Sequence, residues 1–366
     1  MKISCTQENL NKALNQVTRI VNPRASLPVL SNILIKTENS RIKISATDLE
    51  IGINIWIGSK IEKQGSITIP AKVISEFVAN CNDKTITLET DKNNLKISSE
   101  KYKASISGID SEEFPLIPQI KSKPIAILEV ESLKRAISQV LPACSLDDSR
   151  PILSGVLWKF TDIIKLVATD SYRLTEKKIQ ADKIEKSDQI VVPQKTMQEI
   201  ERIISGLGSE KIEISIAENQ ARFTIGKNIE IVSRLIEGKY PDYEQIIPKK
   251  FTIECLVEKN ELLNGLKIAS FFAKESANNI KVDFNDKSIN VSAEASQMGK
   301  IDSSIVSKNT GQKTIAAFNA QFFLDGLSAI NSDTVEIRVS GELTPTIISD
   351  PKFKDYFYII MPLRTD

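Results

Sequence analysis

The chain contains no histidine. Near neutral pH that removes the commonest general base and the commonest neutral metal ligand, so Ser-His-Asp, Cys-His and zinc-hydrolase chemistries are excluded together. Cysteine is almost as scarce. Cys5, Cys81, Cys144 and Cys255 stand far apart with no CxxC pair, a pattern of buried free thiols rather than of a zinc site or a disulfide framework. No apolar run approaches the roughly 20 residues of a membrane span. The opening MKISCTQENL lacks the apolar stretch of a signal peptide, so a cytoplasmic, soluble protein with no membrane partner is expected. Phosphate-binding and nucleophile motifs of the GxxxxGKS/T, GxGxxG and GxSxG types are missing, and GLGSEK at 206–211 reads as a turn entering the strand KIEISI. DFNDKSIN at 283–290 fails as a calcium loop, because Lys287 stands at a ligand position and Ser288 where the sharp-turn glycine belongs. No metal, no cofactor and no catalytic residue is therefore expected.

What the chain does contain is repetition. Its 366 residues, 41% hydrophobic and 26% charged, suffice for two or three ordinary cores. LPVLSNILIK at 27–36 returns as RPILSGVLWK at 150–159, ATDL at 46–49 as ATDS at 168–171, and ITIPAK at 67–72 as IVVPQK at 190–195. A third copy is fainter: Leu262, Gly265 and Leu266 fall where Leu10, Ala13 and Leu14 stand in the first and Leu133, Ala136 and Ile137 in the second. Repetition at domain length implies a triplicated domain. Proline-containing stretches at 113–124 and 239–250 mark the joints, giving expected domains of 1–122, 123–249 and 250–366.

Within each repeat the hydrophobic period switches between two values. Alternation predicts strands at Ile42, Ile44 and Ala46, at Ile86 and Leu88, at Leu95 and Ile97, at Ile212, Ile214 and Ile216, at Phe223 and Ile225, and at Val335, Ile337 and Val339. Helical spacing joins Leu133, Ala136, Ile137, Val140 and Leu141, and again Ile74, Phe77, Val78 and Cys81. Each repeat reads as helix, strands, helix, strands. The expected class is α+β, with two helices per repeat covering one face of antiparallel sheets.

The repeated Pro-x-Leu and Ala-Thr-Asp blocks, ATDSYRL at 168–174, KYPDYEQIIP at 239–248, AAFNAQFFLD at 316–325 and the terminal YIIMPLR at 358–364 together resemble the beta sliding clamps of bacterial DNA polymerase III, end to end. The resemblance implies three tandem clamp domains and a head-to-tail homodimer closed into a ring. Such a ring is a non-catalytic processivity factor that encircles double-stranded DNA without reading its sequence and tethers the replicative polymerase's alpha-type subunit. It also implies a clamp loader, and other polymerases, mismatch-repair and ligase-type proteins that attach through short peptides. A multi-domain protein-binding scaffold without DNA encirclement is the alternative.

Topological linkage asks for phosphate contacts rather than base readout. Lys12, Lys72, Lys134, Lys195, Arg202 and Lys267 lie on predicted helices and Arg24 on the loop after the first; Glu8, Glu76, Glu131 and Glu199 share those helices, so a plainly solvated face stays open. The resemblance singles out Arg24, Lys72 and Lys195. It also implies a peptide pocket between the second and third domains. One side would be Arg150, Leu153, Thr169, Ser171, Tyr172, Arg173, Leu174 and Pro241, and the other Asn319, Phe322, Leu343, Ile359, Ile360, Met361, Pro362, Leu363 and Arg364. Ile246 would close the apolar floor. Met361 stands out, since a terminal tail normally frays and a flexible thioether suits varied peptides. The chain departs from the family at Ser171 and Tyr172, where Gly-His is common, at Phe322 for tyrosine, at Gln245 for a basic residue and at Pro345 for serine.

The resemblance places the dimer seam at Lys103, Ala104 and Ile106 in YKASISG on one edge, with Phe271 and Phe272 as an apolar plug from the other. The usual acidic stretch is diluted to AEASQMGKID at 293–302 while Lys96, Lys101 and Lys103 remain. A dimer less dependent on salt than is usual follows, since exposed ion pairs contribute only about 0–1 kcal/mol each.

Overall fold

The computed structural model describes residues 1–364 except 22–26, 148, 186, 209 and 296–298. The chain forms two compact units, one of residues 1–130 with 202–235 and one of 131–201 with 236–366. The division runs through the second repeat rather than around it.

In the first unit, a five-stranded sheet runs in the order Lys60–Lys63, Lys2–Thr6, Thr85–Asp91, Asn94–Ser98, Lys103–Ser107. A second sheet runs Ala126–Glu129, Lys211–Ala217, Gln220–Ile225, Ile229–Arg234, Ile51–Gly58, Arg41–Thr47, Asn32–Glu38, Ser66–Pro70. Its central joint is the antiparallel pair of Ile229–Arg234 and Ile51–Gly58, in which Ile231 faces Ile53. A second-repeat strand is thus bonded to a first-repeat strand. In the second unit one twelve-stranded sheet runs from Ser187–Pro193 to Thr314–Asn319, and its joint is the pair of Arg173–Ile179 with Tyr356–Ile360. Each half of the second repeat is continuous with a neighbour.

The expected strands are present, and their alternation is physical: Ile42, Ile44 and Ala46 are fully buried on one face. Helices Gln7–Val17 and Ala71–Asn80 pack on each other in the first unit, as do Lys259–Ala273 and Ala320–Ser328 in the second. Leu10, Ala13 and Leu14, then Leu133, Ala136 and Ile137, then Leu262, Gly265 and Leu266 form the buried stripe of the first helix of each repeat. Burying each leucine is worth about 2 kcal/mol. The small middle residue has a steric cause. A Cβ added at Gly265 would lie 3.1 Å from Ile305 Cδ1, so a large side chain there would push helix from sheet.

One element differs from expectation. Each repeat begins with a strand, Lys2–Thr6, Ala126–Glu129 or Ile253–Glu258, before its first helix. These runs are short and pass straight into the helical pattern. The switch is made by caps: Thr6 accepts from the Asn9 amide at 3.4 Å, and the Glu258 carboxylate accepts from the Glu261 amide at 2.6 Å. Among the described residues, no helix is long and apolar enough to cross a membrane, and no group of three or more Cys, Asp or Glu is placed to hold a metal ion.

Candidate functional site

The residues expected to receive a peptide all lie within the second unit. Their scaffold is the turn between strands Ile164–Thr169 and Arg173–Ile179. Thr169 Oγ1 donates to the Arg173 carbonyl at 2.7 Å and accepts from the Ser171 amide at 3.2 Å. Asp170 Oδ1 accepts from the Tyr172 and Arg173 amides, both at 2.9 Å. A hydroxyl followed by a carboxylate thus satisfies three amides and one carbonyl that the turn would otherwise strand. The first repeat builds the same turn: Thr47 Oγ1 donates to the Ile51 carbonyl at 2.9 Å, and Asp48 Oδ1 accepts from the Glu50 and Ile51 amides at 3.0 and 2.8 Å. Ala-Thr-Asp recurs because it folds a turn. The following residue is left-handed in both, Ser171 at φ +79° and Leu49 at φ +78°, a backbone conformation that glycine adopts without steric cost.

Arg173 is the hub of the site. Its Nε donates to Asp170 Oδ2 at 2.9 Å, its Nη1 is paired with Asp325 Oδ2, and its guanidinium carbon lies 4.2 Å from the centre of the Phe322 ring. Burial opposes its charge, yet Tyr358, Asp325 and Asp170 hold the guanidinium above its ordinary pKa. Asp325 also accepts from Gln321 Nε2 at 2.8 Å. Asn319 caps this helix, its Oδ1 accepting from the Gln321 and Phe322 amides at 2.9 and 3.2 Å. The exposed Tyr172 ring lies 6.5 Å from Phe322, and Arg150 Nη1 donates to Ser171 Oγ at 3.2 Å.

Beneath the turn, Leu153, Leu174 and Ile359 join Leu157, Val167, Tyr240, Tyr243 and Ile347 in one buried cluster. Tyr243 donates its hydroxyl to Glu176 Oε2 at 2.6 Å, and burial followed by that carboxylate raises the phenol pKa. The tail is anchored at two points. The Met361 amide donates to the Tyr172 carbonyl at 2.8 Å and the Leu363 amide to the Ala317 carbonyl at 2.7 Å, so Met361, Pro362 and Leu363 are held half-buried beside the turn. Pro241, Leu343 and Arg364 are exposed.

Ile246, expected to close the floor, is exposed at the end of the short helical turn Tyr243–Ile246, and its neighbour Ile247 packs on the buried cluster. One pocket expectation needs correcting. Ile360 faces the core of the third repeat rather than the pocket cluster, as alternation requires once Ile359 faces the other way. Asp325 belongs to the site although sequence reasoning did not assign it. Its one signal is a carboxylate in AAFNAQFFLD with no partner of opposite sign in its own segment.

The basic residues are not all alike. Lys12 is paired with Glu8 at 2.6 Å and Lys72 with Glu76 at 3.8 Å on exposed helix surface, and Lys134 with Glu131 at 3.9 Å. Lys195 and Lys267 are exposed. Arg202 serves the fold instead. Its guanidinium donates to the Gln16 carbonyl at 2.7 Å and the Asn15 carbonyl at 3.4 Å, closing the C-terminal end of the first helix. Arg24 lies outside the described residues.

Both expected seam edges are open. Lys103–Ser107 ends its sheet, bonded only to Asn94–Ser98. Strand Gly299–Gly311 pairs with Ser288–Ala295 over its first half and with Ile253–Glu258 only from Ser307 onwards, so one side of residues 299–306 carries no strand among the described residues. The two phenylalanines divide. Phe271 is 60% exposed, with Ile268 and Val306 also exposed, whereas Phe272 packs into its own core. Ile106 is likewise buried in its own sheet, and Lys103 and Ala104 are more open. Ile268 and Val306 are further apolar seam candidates that helical and strand spacing assigned to no site.

Comparison with known proteins gives matches over the whole chain. Three family descriptions fit in order: DNA polymerase III beta subunit, N-terminal domain, at residues 1–118; its central domain at 127–242; and its C-terminal domain at 244–364. A beta sliding clamp of Staphylococcus aureus is 28% identical, with all of both chains covered. The crystal structure of a DNA polymerase sliding clamp from Bacillus subtilis superposes with a TM-score of 0.96 at 29% identity, and that of DNA polymerase III, beta chain, from Streptococcus pneumoniae with 0.94 at 28%, both over the full length of both chains. With every repeat matched to its own clamp domain in chain order, the chain belongs to the DNA polymerase III beta subunit family, the beta sliding clamps.

Proposed function

We propose that two copies close head to tail into a ring around double-stranded DNA and tether the replicative polymerase to it. The chain is a processivity clamp, not an enzyme. The observation that carries the ring is the pair of unpaired edges, Lys103–Ser107 at the end of one sheet and residues 299–306 on the other unit's strand, at the two places where a second copy could continue each sheet. Phe271, Ile268 and Val306 supply apolar surface beside the second edge. Lys12, Lys72, Lys134, Lys195 and Lys267 provide mobile, salt-sensitive phosphate contacts, and Arg24 is proposed to join them. Arg202 supports helix geometry instead. The working compartment is the cytoplasm, with the clamp on chromosomal DNA during replication.

Client proteins, the clamp loader among them, would insert short peptides beside the Asp170–Tyr172 turn, over Leu153, Leu174 and Met361, with Tyr172, Phe322, Asn319 and Arg364 around them. The domain limits 1–122, 123–249 and 250–366 describe repeats rather than separable bodies. The scaffold alternative has no observation in its favour. Loading onto nicked circular DNA followed by linearisation is the direct test. Retention on the circle with loss on cutting is expected; equal retention on both would refute encirclement.

A further inference from the structure

We propose that the junction of the first and second repeats forms a second peptide groove, for an extended segment that carries one carboxylate beside aliphatic side chains. The proposal borrows its geometry from the peptide pocket described above, and rests on that reading only for the comparison. A concavity of about 260 Å³ lies within the first unit, bounded by the Thr47–Gly52 turn, by residues 115–118 and by Val232 and Arg234. Its backbone is the other pocket's. Ser233 faces Ile51 in register as Ile360 faces Arg173, and the Arg234 amide donates to the Glu50 carbonyl at 2.9 Å as the Met361 amide does to the Tyr172 carbonyl.

The side chains set a different preference. Arg234 occupies the station of Met361, is exposed, and has no ion-pair partner among the described residues. Leu116, 90% exposed, and Leu49, about half exposed, stand on the rim. Gly52 replaces Leu174; a Cβ there would lie 2.7 Å from Ile117 Cγ2, so the floor is shallow and closed by Ile117. A shallow apolar trough with an unpaired guanidinium at one end accepts an aliphatic side chain next to a carboxylate. Glu50 on the same rim repels a second carboxylate and limits the ligand to one.

The test uses the full-length protein and a capped hexapeptide, Gly-Leu-Asp-Leu-Gly-Ser, read by hydrogen exchange and by titration. Protection of residues 47–52 and 232–235 that survives Met361→Ala, and affinity that falls at least tenfold in Arg234→Glu or when the peptide's aspartate is replaced by lysine, is the expected result. Arg234 is exposed, so Arg234→Glu should keep the parent's melting temperature, and Arg234→Gln should give an intermediate affinity. Protection confined to residues 169–174 and 359–363 would overturn the second groove while leaving the first pocket standing. Absence of protection at residues 47–52 and 232–235 would overturn the second groove whatever the first pocket does, the first pocket being tested separately by a polymerase-tail peptide and Met361→Ala, and binding indifferent to the charge at residue 234 would overturn the carboxylate preference.

Discussion

Asp325→Ala should loosen the second unit by about 2 kcal/mol, from breaking a mostly buried pair whose full loss costs about 3–5 kcal/mol. The Arg173 side chain is 11% exposed and that of Asp325 24%, so solvent can only partly replace the lost carboxylate. Asp170 keeps its bond to Nε, which is why the figure lies below the full range. The assay follows from the distribution of tryptophan. Trp158 is fully buried in the second unit and Trp56 lies in the first, so urea unfolding monitored by fluorescence in a Trp56→Phe background reports the second unit alone. A double-mutant cycle with Arg173→Met should return a coupling of about 1–2 kcal/mol. The same substitution should weaken a polymerase-tail peptide several-fold, because the Phe322 ring and the turn lose their common tether. A coupling under about 0.5 kcal/mol, the value of an exposed pair, would show that Arg173 does not join the turn to the third repeat's helix.

Met361→Ala should lower affinity for a client peptide about tenfold by titration with the dimer intact, since it removes roughly 1–2 kcal/mol of apolar contact. Phe271→Asp should shift sedimentation to the mass of one chain, whereas Phe272→Leu should leave the dimer and cost about 1 kcal/mol of core stability. Arg202→Ala should destabilise the first unit by about 1–2 kcal/mol, with loaded clamps sliding as before, because two carbonyls at a helix end lose their donor. Burial pushes the thiols of Cys5, Cys144 and Cys255 up to about 12. The folded chain therefore holds protons that the unfolded chain, with thiols near about 8.5, gives up. This contribution is whole below the unfolded value and is lost as pH rises towards 12, so urea midpoints should fall across that window, less steeply in Cys144→Ala.

Alternation makes the strands at residues 42–46, 86–88, 95–97, 212–216, 223–225 and 335–339 readable from the sequence, and helical spacing the buried stripe of the first helix of each repeat; the recurrence of Ala-Thr-Asp is visible there too, though its role as a turn is not. Three kinds of feature are not readable. The strands that open each repeat merge into helices, so their period is too short to register. Side-chain direction at seams depends on tertiary packing: Phe271 and Phe272 are adjacent in sequence, and only the position of the sheet decides which one is exposed. Partners distant in sequence, such as Arg173 with Asp325 and Arg202 with the Gln16 carbonyl, leave no local spacing.

The joints at Ile229–Arg234 with Ile51–Gly58, and at Arg173–Ile179 with Tyr356–Ile360, have a practical bearing on dissection of this molecule. Residues 123–249 expressed alone would lose the partner of a strand in each of two sheets, leaving bare rows of amides and carbonyls flanked by aliphatic side chains, a ready template for fibres. The middle copy is better regarded as two half-modules, each finished by a neighbour. Cuts through the flanking prolines should yield insoluble fragments, and the triplicated gene can neither lose nor invert its central third without stranding both.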